Sequence, residues 1–229
     1  MQKLITLIGA FLLTMGVNAQ TTLKVESFRM GLGEKKTITL DLDNAGLTDA
    51  AAFCCNIYIP EGVEIEKDAE GNFNFTVSDK DGRSASSELV IASAVQVNGS
   101  IRVVCFPADA KAFNGTSGAV LNIPLVALED LTKGTVEGAI AVVGQEITNT
   151  TGLQTVNPEN YEACDMTVFL RSDANSDGDI NITDIAFVID KINSIIDTGL
   201  DEEAADANRD GEINITDVAL ILDKINDVK

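Results

Sequence analysis

A chain of 229 residues is too long for one small domain and too short for three, and with 45% hydrophobic and 23% charged residues it can bury a core. Sixteen basic against 36 acidic side chains leave a net charge of -20, which repels nucleic-acid phosphate and anionic lipid heads and favours cations as partners. Histidine is absent, so Ser-His, Cys-His and His-metal chemistry are excluded together.

Lys3, the apolar run from Leu4 to Leu13, and then Val17, Asn18 and Ala19 make up the three regions of a secretory signal peptide over residues 1–19, with cleavage near Ala19. The apolar run is too short for a permanent membrane span. A chain exported to the extracellular space or the cell surface, starting at Gln20, is therefore expected.

From Gln20 to about Leu170 apolar residues recur with period two, in KTITLDLD, AAFCCNIYIP, FNFTV, ELVIASAVQV, SIRVVCF, AVLNIPLVAL, GAIAVVGQEIT and MTVFL. Between them lie DNAG, PEG, DKDG, NGS and NGTSG, turn sequences whose Gly and Asn accept positive φ. Eight or nine strands without a helix predict an all-β sandwich of jelly-roll kind over residues 20–164. Thr155 to Cys164, with Pro158, is the candidate linker, and the strand-like MTVFL after it fits either side.

Four cysteines, Cys54, Cys55, Cys105 and Cys164, are too few for a disulfide scaffold in an exported chain of this size. Alternation turns Cys55 and Cys105 inward, which suits either a bridge between them or two buried free thiols.

After Ser172 the period changes. Ile185, Val188, Ile189 and Ile192 recur at helical spacing, as do Val218, Ile221, Leu222 and Ile225, so a small all-α module is expected over residues 165–229. Residues 171–229 hold 15 acidic and 5 basic side chains, a balance of -10 and half of the chain's net charge.

Within that module DANSDGDINITDIAFVIDKINS and DANRDGEINITDVALILDKIND, starting at Asp173 and Asp206, agree at 15 of 22 positions with a period of 33 residues. Each copy opens D-x-N-x-D-G-x-I-N-x-x-D, the pattern of a calcium loop. Positions 1, 3 and 5 offer short oxygen ligands, Asp173, Asn175 and Asp177 in the first copy and Asp206, Asn208 and Asp210 in the second. Gly178 and Gly211 stand at position 6, where the chain must turn sharply around the ion. Position 7 supplies the carbonyl of Asp179 or Glu212, position 9 (Asn181, Asn214) acts through a water, and position 12 is Asp184 or Asp217. Two Ca2+ ions are expected. Position 12 is Asp where an EF-hand has Glu, and Ser172 and Ala205 follow no full entering helix, so each unit reads as a loop and one helix.

That combination resembles the type I dockerin over roughly residues 171 to 229. The resemblance implies a calcium-dependent module that docks onto a cohesin-type β-sandwich, in trans or on its own sandwich in cis. The family's contacts come from positions 10 and 11 of each loop and from the following helix. Here these are Ile182, Thr183, Ile215 and Thr216, with Asp190, Lys191, Asp223 and Lys224 on the helices. Many dockerins carry a hydroxyl pair at positions 10 and 11, whereas this chain has Ile-Thr. Thr183 and Thr216 also suit helix N-caps. More loosely, MGLGEKKTITLDLDNAGLTDAAAFCCNIYIPEGVEIE is similar to the opening strands of the cohesin and carbohydrate-binding superfamily.

The sequence therefore predicts a non-catalytic adaptor in which the dockerin docks and the sandwich also binds protein. A glycan-binding protein carrying a dockerin is the alternative, but the chain has no Trp and only Tyr58 and Tyr161 to stack on sugar rings. An enzyme finds no supporting constellation among the sandwich residues.

Overall fold

In a computed structural model the described residues are 21–84, 89–128, 136–152, 154–157, 162–196 and 198–227. The expected signal peptide, Pro158 and Tyr161 lie outside them. In chain order the strands are β1 (Thr22–Val25), β2 (Phe28–Gly31), β3 (Lys35–Asp43), β4 (Ala50–Tyr58), β5 (Val63–Ile65) and β6 (Thr76–Val77). They continue with β7 (Leu89–Val95), β8 (Ile101–Pro107), β9 (Ser117–Ala127), β10 (Val136–Asn149), β11 (Gln154–Asn157) and β12 (Glu162–Phe169). Helices α1 (Ile182–Ile192), α2 (Glu202–Ala205) and α3 (Ile215–Asp227) follow. The additional strands relative to the expected eight or nine are mostly two to four residues long, too short to register as a period.

Two sheets face each other. One has the order β1-β3-β9-β5 with β6 also on β9, and the other the order β2-β12-β10-β4-β8-β7 with β11 on β10. Alternation explains the core between them, since Ile38, Leu40 and Leu42 of β3 and Phe53, Cys55 and Ile57 of β4 point inward and are buried. A bulge in β10 between Val143 and Glu146, with Gly144 at φ 58°, aims Gln145 inward. Its amide accepts from Leu23 N at 2.6 Å and donates to Leu23 O at 2.8 Å, tying β1 of one sheet to β10 of the other.

All four cysteines are free and buried. Cys55 pairs with Val103 and Cys105 with Phe53, so the two inward thiols are offset along the ladder and unbridged. Burial pushes the Cys105 thiol up to about 12 and the Cys55 thiol higher still, which makes both inert hydrophobes.

The segment MTVFL lies within β12, which pairs antiparallel with β10 and parallel with β2. The sandwich ladder thus continues through Phe169, past the boundary at 164/165 expected from sequence, because the strand's apolar face completes the core with Met166 and Val168. Leu32 N donates to Phe169 O at 2.8 Å, which brings the β2–β3 turn beside the point where the chain leaves the sandwich.

In the helical module Ala174, Ile185, Val188, Ala205 and Ile221 form the buried centre. The expected apolar faces are only half right, for Ile189 and Ile192 are 39% and 40% exposed and Leu222 is 45% exposed. A core this small has room for one stripe per helix, so the adjacent apolar residues face outward. Among the described residues no helix is long and apolar enough to cross a membrane.

Candidate metal centre and docking faces

Each loop coils around its own carboxylates. In the first, Asp173 accepts from Asp177 N at 3.0 Å and Gly178 N at 2.9 Å, and Asp177 accepts from Asp179 N at 2.9 Å. Asp184 reaches back from α1 to accept from Asn175 N at 3.2 Å and Asn181 N at 2.8 Å, and it is fully buried. The second loop repeats this with Asp206 on Asp210 N and Gly211 N at 3.2 and 3.0 Å, and Asp210 on Glu212 N at 2.8 Å. Asp217, also fully buried, accepts from Ala207 N, Asn208 N and Asn214 N at 2.9, 3.2 and 2.9 Å.

Both loops turn on left-handed residues at positions 4 and 6, Ser176 and Gly178 at φ 57° and 93°, and Arg209 and Gly211 at 64° and 85°. Only the glycines adopt that conformation without strain. Hydrogen bonds thereby link positions 1, 3, 5 and 12 within each loop, while the side chains of Asp179 and Glu212 are exposed.

At position 9 the asparagines have a second task. Asn181 is the N-cap of α1 in a capping box with Asp184, and its Oδ1 accepts from Thr183 N at 2.9 Å and Thr183 Oγ1 at 2.8 Å. Asn214 does the same for Thr216, at 2.9 and 2.7 Å. The threonines are consequently not the caps. Their hydroxyls donate to the caps and accept from Asn175 Nδ2 at 3.1 Å and Asn208 Nδ2 at 2.9 Å.

The donor set suits a hard cation of calcium size, all oxygen and mixed between carboxylate, amide and carbonyl. Among the described residues no three His, Cys, Asp or Glu side chains lie close enough together to hold an ion by themselves. Burial raises the Asp173 carboxyl above its ordinary range; the N–H groups of Gly178 and Asp177 oppose this, and the like charges of Asp184 and Asp177 add to it. A cation would relieve that cost.

Two apolar stripes flank the loops. Ile182, Ala186 and Ile189 on α1, and Ile215, Ala219 and Leu222 on α3, stand at i, i+4 and i+7 and all face solvent. Ile182 and Ile215 are 67% and 69% exposed. Sequence reasoning named Ile182 and Ile215 as contacts but placed Ile189 and Leu222 on the apolar helix faces and passed over Ala186 and Ala219, yet the equal spacing in both repeats was there to be read. Of the charged candidates, Lys191 pairs with Glu202 at 2.6 Å and Lys224 donates to Arg171 O at 2.9 Å, while Asp190 is half-buried and Asp223 exposed.

The sandwich has its own uncovered face. On β7 and β8 the outward positions are Val90, Ala92 and Ala94, paired with Phe106, Val104 and Arg102. Val90 and Phe106 are each 41% exposed, where solvent-facing antiparallel strands ordinarily turn polar. Tyr58, by contrast, is half-buried with its hydroxyl accepting from Asn98 Nδ2 at 2.6 Å.

Sandwich and module meet at a charged junction. Arg29 binds Asp201 with both Nη atoms and lies 3.6 Å from Glu203. Glu34 accepts from Arg171 Nε at 2.5 Å and pairs with Arg209 at 2.6 Å. Phe169 lies between Arg29 and Arg171, whose guanidinium carbons are 4.9 and 5.1 Å from its ring centre. Three of the chain's five arginines therefore converge on this one place.

Residues 171–226 match the dockerin type I domain family, and the C-terminal module is a dockerin. No curated protein matches the chain. Among solved structures it is similar to a non-cellulosomal cohesin from the hyperthermophilic archaeon Archaeoglobus fulgidus, at 15% identity over 66% of this chain and 91% of that one, with a TM-score of 0.45. It is also similar to a cohesin module of a family 33 glycoside hydrolase from Clostridium perfringens, at 10% identity over 66% and 97% of the two chains and a TM-score of 0.48. The Coh-OlpC–Doc435 type I cohesin–dockerin complex from Clostridium thermocellum matches at 12% identity over 68% and 99%, with a TM-score of 0.48.

Proposed function

We propose that this chain is an exported, non-catalytic assembly protein whose dockerin, residues 171–229, is held in shape by two calcium ions and docks onto a cohesin-type sandwich of another chain. The first ion is held by Asp173, Asn175, Asp177, the Asp179 carbonyl and Asp184, and the second by Asp206, Asn208, Asp210, the Glu212 carbonyl and Asp217, with Asn181 and Asn214 acting through a water. Calcium supplies the positive charge that lets these oxygens stay together, and so fixes the start of α1 and α3.

The duplicated exposed stripe carries the reading. Ile182, Ala186 and Ile189, and their counterparts Ile215, Ala219 and Leu222, offer two similar apolar surfaces bordered by Thr183 and Asp190 or Thr216 and Asp223. Docking in trans is favoured because the chain's own sandwich meets the module through Arg29 and Glu34 and leaves both stripes open. The uncovered face around Val90, Val104 and Phe106 serves as a second protein-binding surface, on the sandwich side.

Isothermal titration of the mature chain against a panel of cohesin-type sandwiches, in calcium and in chelator, tests this. Binding to at least one of them in calcium alone is the expected result. Ile182→Asp with Ile189→Asp should leave most of the affinity, as should Ile215→Asp with Leu222→Asp, and the four changes together should abolish it. Calcium-independent binding, or binding that survives all four changes, defeats the proposal.

A further inference from the structure

The two loops are alike in sequence but are not attached alike. Glu34, on the turn between β2 and β3, is largely buried and accepts from Arg171 Nε at 2.5 Å, Arg171 Nη2 at 3.2 Å and Gly31 N at 3.2 Å. Arg171 in turn donates Nη1 to the carbonyls of Glu203 at 2.9 Å and Asp206 at 2.7 Å. Asp206 is position 1 of the second loop. Arg209, at position 4 of that loop, comes back to Glu34 Oε1 at 2.6 Å. One carboxylate of the sandwich therefore grips the second loop twice, at its first residue through Arg171 and at its fourth directly. No side chain of the first loop is bonded to Glu34, although Arg171 stands two residues before its Asp173. Its position 4 is Ser176, whose hydroxyl reaches only Asp201, at 3.5 Å.

We propose that Glu34 is a positioning residue for the second calcium loop, so that calcium binding there and the seating of the dockerin against the sandwich are one coupled equilibrium. The proposal rests on the calcium reading above. Loop ligands must converge before an ion can be held, and a backbone fixed at positions 1 and 4 has less conformational freedom left to lose on binding. Coupling of this kind is reciprocal, so calcium in the second loop should also tighten the junction. The choice of Arg at position 4, where the first loop has Ser in the same left-handed conformation, is explained in the same way, because a long cation there reaches Glu34.

The experiment is calcium titration, by calorimetry and by competition with a chromophoric chelator, of full-length mature chains carrying Asp177→Ala or Asp210→Ala, which leave the second or the first loop to be read alone. Adding Glu34→Ala should weaken the second loop by about fivefold or more and leave the first within a factor of about two. Arg209→Ser, which gives the second loop the residue found in the first, provides a sign test. Removing a positive charge beside the ion would by itself tighten binding, whereas loss of the brace weakens it. Reciprocally, calcium should raise the sandwich's thermal midpoint in the parent chain and not in the Glu34→Ala chain.

Equal losses at both loops, a loss under about fivefold at the second, or tighter binding in Arg209→Ser would each overturn the proposal. Should Glu34→Ala fail to fold, Arg209→Ser decides alone. Absence of calcium binding in the parent chain is a distinct outcome, and it would sink the calcium reading itself.

Discussion

The two loop-helix segments share 15 of 22 residues, yet they live in different surroundings. Asp173 at the head of the first is 3% exposed, because Phe169, Leu170 and Arg171 run into it directly from the last strand of the sandwich and Ser172 N is bound to Ala204 O at 2.9 Å. Its counterpart Asp206 is only half-buried and follows α2, a single turn capped by Asp201. Lys191 finds Glu202 within the module, whereas the equivalent Lys224 finds the Arg171 carbonyl at the junction. The shared residues thus encode a cage and an exposed stripe, and the unshared flanks decide what each cage leans on. Sequence symmetry here does not extend to symmetry of environment.

Removing calcium should break the comparison most completely. Each occupied site contributes about 4 kcal/mol when free calcium is a thousandfold above its dissociation constant, and the buried centre of the module is too small to hold the carboxylates together without it. Chelator is expected to abolish the helical circular dichroism signal while the β signal persists. Helicity that survives in calcium-free buffer would contradict this.

Removing the two position-12 carboxylates sharpens the comparison. Asp184→Ala orphans two backbone N–H groups and Asp217→Ala three, each loss costing about 1–3 kcal/mol where the group stays buried. Denaturation in saturating calcium should therefore find Asp217→Ala the more damaging, although its loop is the more open. Smaller again is the lysine pair. Lys191→Ala removes a surface ion pair of about 0.5 kcal/mol, whereas Lys224→Ala leaves the Arg171 carbonyl without its ammonium donor and should cost about 1 kcal/mol.

Much of this was legible in the chain itself. Period-two alternation marked β3, β4, β8 and β9 because their inward residues are uniformly apolar, and the candidate loop ligands stood out because glycine at position 6 and oxygen at 1, 3, 5 and 12 recur in two copies. Three things were hidden. That Asn181 and Asn214 also hold the threonines is not announced by residue type, which suits a ligand and a cap equally well. Ile189 and Leu222 sit beside core positions on the helical wheel, so no periodicity could say that the core would be too narrow to take them. The junction is a matter of long-range contact, since Glu34 and Arg171 are 137 residues apart and nothing local about a glutamate in a turn announces an arginine partner.

The smallest expected effect is the acid response of that junction. Burial by itself would raise the Glu34 carboxyl, but the hydrogen bonds and charge of Arg171, together with Arg209, outweigh it and hold the group below its ordinary value. Asp201 behaves likewise, burial being outweighed by Arg29 and by the N–H groups at the start of α2. Groups whose folded values are depressed stabilise the junction fully above their unfolded values, about 3.9 for Asp and 4.3 for Glu, and that stabilisation is lost as pH falls through the folded values. Between about pH 5 and 8 the seating of the dockerin should therefore not vary from this source, and below about pH 4 it should loosen. Carbon-detected NMR titration of the two carboxyls in calcium-saturated protein should place both midpoints below those of the unfolded chain. Arg171→Gln should return the Glu34 midpoint toward the ordinary range while leaving Asp201 in place, because the two carboxylates depend on different arginines. A Glu34 midpoint at or above the ordinary value in the parent protein would show that burial wins at this junction and that the grip on the second loop is weaker than its hydrogen bonds suggest.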